Sequence, residues 1–262
     1  MLCYKNGGLM REAVRDTHTN KSWDEFNDLL RSTPPGNNNA FGFYFSLREI
    51  IPDGVEGEFF FRGTKQVEPQ DLSPAEHARA VLESQVMSVK TRLQTILHGD
   101  DGAIKRCIIT GGSSTNDVFQ QVCADILGHP VYVADASGSA TVGGALLARW
   151  GWYRATGSTR GLSQEYEGKS EDIPFEATRE GGGVKVRLVA EPHLDAVKVY
   201  EGLVETYKQN EDVVVKLCKE RDAALARPAA PNGKPADVEA TTSTVKGKPG
   251  LLKSVLKTLG FN

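Results

Sequence analysis

The chain lacks any apolar run that approaches the length needed to cross a bilayer, so nothing in it reads as a membrane-spanning helix. It lacks an excess of either charge. Its 31 Lys and Arg face 34 Asp and Glu, a net charge of −3, which gives no reason to expect a nucleic-acid surface or an acidic tail. Cysteine is scarce. Cys3, Cys107, Cys123 and Cys218 form no C-x-x-C pair and no disulfide framework, and they read as reduced, mostly buried thiols of a cytoplasmic protein. The five histidines show no metal-ligand spacing, which argues against a structural zinc. The first residues carry neither the basic region nor the apolar core of a signal peptide. Two phosphate-binding signatures are missing as well: there is no G-x-G-x-x-G, and no G-K-[ST] follows the glycine pair at 111–112.

What is present is an α/β pattern. At 262 residues the chain can hold one good domain with extras, or two small ones. Residues 1–16 read as a β-hairpin turning at Asn6-Gly7. Ser22 caps a helix from Trp23 to Arg31, with Trp23, Phe26, Leu29 and Leu30 at helical spacing. Phe41 to Phe45 is a buried strand, Pro52 to Gly54 a break and residues 63–73 a loop. Ser73-Pro74-Ala75-Glu76 opens a helix to about Leu97 with one buried face. Cys107 to Thr110 reads as a strand buried on both faces, Asp117 to Leu127 as a helix closed by Gly128, and Pro130 to Val133 as another strand. Ala136 to Ser139 turns the chain into a helix of small residues from Ala140 to Trp152. Residues 154–183 form a surface excursion, Lys185 to Val189 an extended segment, and Asp195 to Leu225 an amphipathic helix. Residues 226–249 are expected to be disordered, with a short basic amphipathic helix at Leu251 to Leu259.

The most informative stretch is Gly111-Gly-Ser-Ser-Thr-Asn116, between a strand and a helix. Glycines let a ligand approach the backbone, and a helix start offers unpaired N–H groups with partial positive charge. Gly111 and Gly112 supply clearance, and Ser113, Ser114 and Asn116 supply polar contacts. The plainer reading is a tight turn in which Ser114 or Thr115 caps the helix. Gly143 and Gly144 would permit close helix packing.

Taken in order, Thr110-Gly-Gly-Ser-Ser-Thr-Asn116, Ala124-Asp-Ile-Leu-Gly-His-Pro-Val131 and Ser139-Ala-Thr-Val-Gly-Gly-Ala-Leu-Leu-Ala148 resemble the adenosine-binding segment of the FGGY family of carbohydrate kinases. Leu2-Cys-Tyr-Lys-Asn-Gly-Gly-Leu-Met-Arg-Glu12, Ser22-Trp-Asp-Glu-Phe26 and Gly42-Phe-Tyr-Phe45 resemble its fungal-type xylulokinase members. The resemblance covers residues 1–153 and returns at 188–218. It implies an actin-like ATPase (ribonuclease-H-like) α/β domain, a mixed sheet flanked by helices, truncated at its N-terminus and carrying a C-terminal helical extension. The implied division is a nucleotide-binding domain at 1–153, the excursion at 154–187, the helical extension at 188–225 and the tail at 226–262.

The resemblance further implies ATP with Mg as cofactors, D-xylulose as the sugar of the full-length family, and contacts to ATP from Gly111, Gly112, Ser113 and Asn116. Trp23 is either another wall of that pocket or a core residue of its helix. The sugar site and the catalytic aspartate would lie before Met1, so no residue of the chain is assigned as catalytic. Asp117, Asp125 and Asp135 sit where helix or strand ends explain them. The chain would then be inactive alone, with exposed sheet edges and poor solubility, or would pair with a separate N-terminal sugar-binding half. The alternatives are a non-catalytic interaction or regulatory module built on the same fold, and a peripheral membrane protein using residues 250–262, for which one short helix is a weak anchor.

Overall fold

Two three-stranded sheets and six α-helices make up the regular structure in the computed structural model, which describes residues 2–96, 104–134, 139–157, 172–175 and 186–226. In chain order they are α1 (Gly7–His18), α2 (Trp23–Arg31), β1 (Ala40–Phe45), β2 (Gly57–Arg62), β3 (Lys65–Val67), α3 (Pro74–Ile96), β4 (Cys107–Ile109), α4 (Asp117–Leu127), β5 (Val131–Ala134), α5 (Ser139–Thr156), β6 (Val186–Ala190) and α6 (Leu194–Leu225). The compact unit that they build runs to Ala223, and of the residues beyond it only 224–226 are described.

The N-terminal segment is a helix, not the expected hairpin. Asn6-Gly7 is the entry to α1 rather than a turn. The Asn6 amide bonds Leu47 through both its atoms, and the Asn6 and Lys5 N–H groups donate to Glu49 at 3.0 and 2.8 Å. Burial works against the Glu49 charge, but these donors, with that of Ile50, hold its carboxyl below the usual carboxylate value. A carboxylate at a helix start also meets the positive end of the helix dipole. The helical signal was the pair Met10 and Val14, four residues apart and both buried.

α3 opens where expected, on a reciprocal cap: Glu76 N–H donates to Ser73 Oγ, and Ser73 N–H donates back to the Glu76 carboxylate. It does not bury one face only. α1, α2, α4 and β1 pack around it, so Arg79, Glu83 and Lys90 are buried along with Val81, Leu82 and Val86. Each charge is partnered. Arg79 Nε donates to Glu83 at 2.7 Å, and Lys90 Nζ donates to the Ile126 carbonyl at 2.6 Å.

β1, β2 and β3 form an antiparallel sheet with Phe43 opposite Phe59. β3, with a turn at Pro69–Asp71, occupies the stretch expected to be loop. In the second sheet β4 lies parallel to β5, and β6 pairs antiparallel on the other side of β5. β4 is an edge strand of this sheet and is not buried on both faces: Ile108 is 46 % exposed. α5 runs four residues past Trp152, and Cβ atoms added at Gly143 and Gly144 would meet nothing within 4 Å, so these glycines permit no close packing among the described residues. α6 buries Tyr200, Tyr207 and Val214. The expected turn at 136–139 lies, apart from Ser139, outside the described residues. So do the disordered tail, except Ala226, the terminal amphipathic helix and most of the 154–183 excursion.

Candidate functional site

β4 delivers the chain into a turn that opens on Gly111, whose φ of +81° is left-handed and suits glycine. A single 3-10 turn, Gly112–Thr115, follows and leads into α4. Two hydroxyls fold back on this turn: Ser114 Oγ donates to the Gly111 carbonyl at 2.6 Å and Thr115 Oγ1 to that of Gly112 at 3.0 Å. The helix cap is Asn116, whose Oδ1 accepts from Phe119 N–H at 2.9 Å, and neither Ser114 nor Thr115. The N–H groups of Gly112 and Ser113 donate to no acceptor among the described residues. A Cβ at Gly112 would meet open space, so the turn is not plugged.

These amides border a cleft of about 610 Å³ between α1, α2 and the start of α4. Arg11, on α1, is its cation. Its guanidinium donates to Gln85 Oε1 at 2.5 Å and to Ser113 Oγ at 2.9 Å, and lies 4.9 Å over the Phe119 ring. Burial pulls its pKa down from the ordinary arginine value, against upward pushes from Cys123 and Glu12; an arginine remains a cation under such a shift. Trp23, on α2, forms part of the cleft wall. It is 39 % exposed, packs edge-on against Phe26 at 5.5 Å and carries the Arg15 guanidinium 4.4 Å over its ring. Below it Asn27 is 8 % exposed and accepts from Asn116 Nδ2 at 2.9 Å. Glu12, Asp24 and Asp117 bring carboxylates to the rim, and Asp117 pairs with Arg31 at 3.3 Å on the surface, where such a pair is worth little.

Gly112, Ser113, Asn116 and Trp23 thus line one cleft, from two segments about 90 residues apart in sequence. Gly111 does not line it and instead shapes the turn. Trp23 is a cleft wall rather than a core residue. Arg11 was not foreseen, because a hairpin reading of residues 1–16 conceals a helical side chain. Asn27 was not foreseen either, although a lone amide four residues after Trp23 and three before Leu30, on the apolar face of α2, was a readable signal. Asp125 accepts from Gln121 and from His193 N–H, so its role is local. Among the described residues no three His, Cys, Asp or Glu side chains converge as metal ligands, so none is assigned to magnesium. No described helix is long and apolar enough to cross a membrane.

Residues 2–152 match the family model described as the C-terminal domain of the FGGY family of carbohydrate kinases. Similar curated proteins include a mouse xylulose kinase, 38 % identical over 84 % of this chain and 36 % of the mouse protein, and the Arabidopsis thaliana xylulose kinase 2, 37 % identical over 65 % of this chain and 32 % of that protein. A probable D-xylulose kinase A of the fungus Arthroderma otae is 34 % identical over 61 % of this chain and 33 % of its own length. The chain therefore spans about a third of the length of the curated relatives it matches. Among solved structures, a ligand-bound xylulose kinase of Lactobacillus acidophilus superposes with a TM-score of 0.59 at 22 % identity, covering 85 % of this chain and 39 % of that one. At that identity the likeness speaks for the fold: the mixed α/β, actin-like ATPase architecture of FGGY sugar kinases.

Proposed function

The chain belongs to the FGGY family of carbohydrate kinases, and on that footing we propose that it is the ATP-binding part of a cytoplasmic xylulokinase, which phosphorylates D-xylulose to D-xylulose 5-phosphate. The observation that carries the reading is the bare backbone at Gly112 and Ser113, opening into a cleft with an aromatic wall at Trp23 and a half-buried cation at Arg11. Free N–H groups before a helix suit the polar atoms of a nucleotide, and an exposed indole face suits its base.

In this reading Gly112 and Ser113 contact ATP near the adenosine, Gly111 sets the turn, and Asn116 holds α4 and α2 together beneath the ligand. Phosphoryl transfer depends on placing donor and acceptor in line and neutralising charge more than on covalent help, so the work of this chain is to bind and orient ATP. Magnesium, when bound with ATP, would neutralise phosphate charge. We assign no carboxylate of this chain as the base for a sugar hydroxyl. We therefore read residues 1–153 as the nucleotide domain, with the excursion at 154–187, the helical extension at 188–225 and the tail at 226–262 as additions. The sugar site belongs to a separate N-terminal half, and the chain alone binds nucleotide without phosphorylating sugar. Buried Cys123, its thiol pushed up to about 12, suits a reduced and unreactive role.

Calorimetric titration of the chain with ADP tests the reading. Binding is expected in the wild type and lost in Gly112→Asp, which sets a carboxylate beside the bare amides without a steric clash. Equal affinity in the two proteins would remove the site.

A further inference from the structure

One polar group in the cleft is explained by neither capping nor packing: the amide nitrogen of Asn27. Its direction follows from a chain of hydrogen bonds that begins on the backbone. Phe119 N–H can only donate, so Asn116 meets it with Oδ1 and turns Nδ2 outward. That Nδ2 donates to Asn27, so Asn27 meets it with Oδ1 in turn. The Asn27 Nδ2 group is left facing away from Asn116, and neither of its hydrogens finds an acceptor among the described residues. The residue is 8 % exposed and lines the cleft, so the open end of a mostly buried side chain presents a donor pair at the cleft wall without a partner among the described residues. One helical turn earlier, on the same face of α2, Asp24 also lines the cleft, and its carboxylate has no partner among the described residues.

We propose that Asn27 and Asp24 together read the purine base, selecting a 6-amino over a 6-oxo purine. The proposal rests on the reading that the cleft holds a nucleotide. A donor beside an acceptor complements an adenine edge, where a ring nitrogen with a lone pair lies next to an amino group. Asn27 Nδ2 donates to the ring nitrogen, and the Asp24 carboxylate accepts from the amino group. In guanine or hypoxanthine a carbonyl oxygen replaces that amino group and would turn its lone pairs on the carboxylate. Specificity then comes from an unmade bond and a repulsion, and not from pocket size. Trp23, on the same helix, supplies apolar surface that does not discriminate between purines.

The test titrates the full chain with ADP and with inosine 5′-diphosphate, which differ at the 6-position and in the proton on the adjacent ring nitrogen. The inosine nucleotide is expected to bind about tenfold more weakly or worse. Asp24→Asn, an exposed change with no fold at stake, offers both donor and acceptor at the 6-position and should reduce that preference, leaving the share that Asn27 sets at the ring nitrogen. Asn27→Asp keeps an acceptor for Asn116 Nδ2 and replaces the free donor with a carboxylate oxygen, so ADP should weaken about tenfold or more. If the wild type binds both nucleotides equally, or Asp24→Asn keeps the full preference, the base readout is overturned while the nucleotide site stands. If the wild type binds neither, the nucleotide reading itself falls and takes the readout with it.

Discussion

Asn116 Nδ2 sits 2.9 Å from Asn27 Oδ1, so the cap of α4 and the buried amide of α2 are one unit across the cleft. Asn116→Asp should separate its two tasks. The carboxylate still caps α4, but it now faces Asn27 with oxygen on both sides, and the Asn27 amide has to turn round to donate. The cleft then presents an oxygen where it had a nitrogen. Thermal stability should hold within a few degrees, while ADP affinity falls about tenfold. Asn116→Ala should instead lose the cap, at about 1 kcal/mol, seen as a lower urea midpoint.

Arg11 joins α1 to the glycine turn through Ser113 and to α3 through Gln85. Lysine keeps the charge but cannot hold both acceptors in a planar fork or lie flat on Phe119. Arg11→Lys should cost about 1–2 kcal/mol in chemical denaturation and weaken ADP binding several-fold. A variant that matched the wild type in both measurements would show that the turn is held by its own backbone alone.

Arg79 and Glu83 form a buried ion pair that also grips its neighbours. Tyr200 Oη of α6 donates to Glu83 at 2.7 Å, Gly36 N–H donates to the same oxygen at 3.1 Å, and Arg79 donates to the Leu30 carbonyl at 2.8 Å. Glu83→Ala would strand a buried guanidinium and is expected to destabilise the chain by about 3–5 kcal/mol. Tyr200→Phe removes one hydroxyl and should cost about 1 kcal/mol. Urea denaturation of both variants checks the order and rough ratio of these losses.

Much of the α/β order could be read from local chemistry, and the failures share one cause. Ser22, the Ser73–Glu76 pair and Gly128 each place a helix end within one residue, because caps act through the backbone next to them. The glycine turn was legible for the same reason, whereas Trp23 as a cleft wall came only from the family resemblance, which left a core position on its helix open. Residues 1–16 were misread because Asn6-Gly7 suits a hairpin locally and outweighed the helical spacing of Met10 and Val14, while Leu47 and Glu49, more than 40 residues away, hold Asn6 as a helix entry. The burial of α3 on nearly all sides was likewise hidden, since Arg79, Glu83 and Lys90 look solvated until their partners are known. Long-range pairing, not propensity, decided each of these.

The His18 and His77 rings stack at 4.7 Å and 16° where α1 meets α3. His77 Nε2 donates to the Pro69 carbonyl at 2.9 Å, so Nδ1 accepts from the Tyr44 hydroxyl at 2.8 Å. Burial lowers both pKa values; His77 lowers that of His18 further, and Pro69 and Glu76 push back at His77. The unfolded chain then takes up protons first as the pH falls. Stability is therefore full above the ordinary histidine value of about 6.5 and declines below it. Urea midpoints should be lower at about pH 5.5 than at about pH 7.5, and His18→Gln should reduce the drop. The same drop with and without His18 would count against a role for the stacked pair.

The central claim is that the Gly112–Ser113 backbone and the Trp23 wall enclose one adenine nucleotide. Amide NMR of the isotopically labelled full chain, titrated with ADP, tests it most directly. The account predicts saturable shifts at Gly112 and Ser113, at the Trp23 indole and at the Asn27 side-chain amide, all with one dissociation constant. Saturating ADP that left these four signals in place, or that moved only residues of the separate apolar groove beside β4, such as Ile108 and Tyr207, would contradict it.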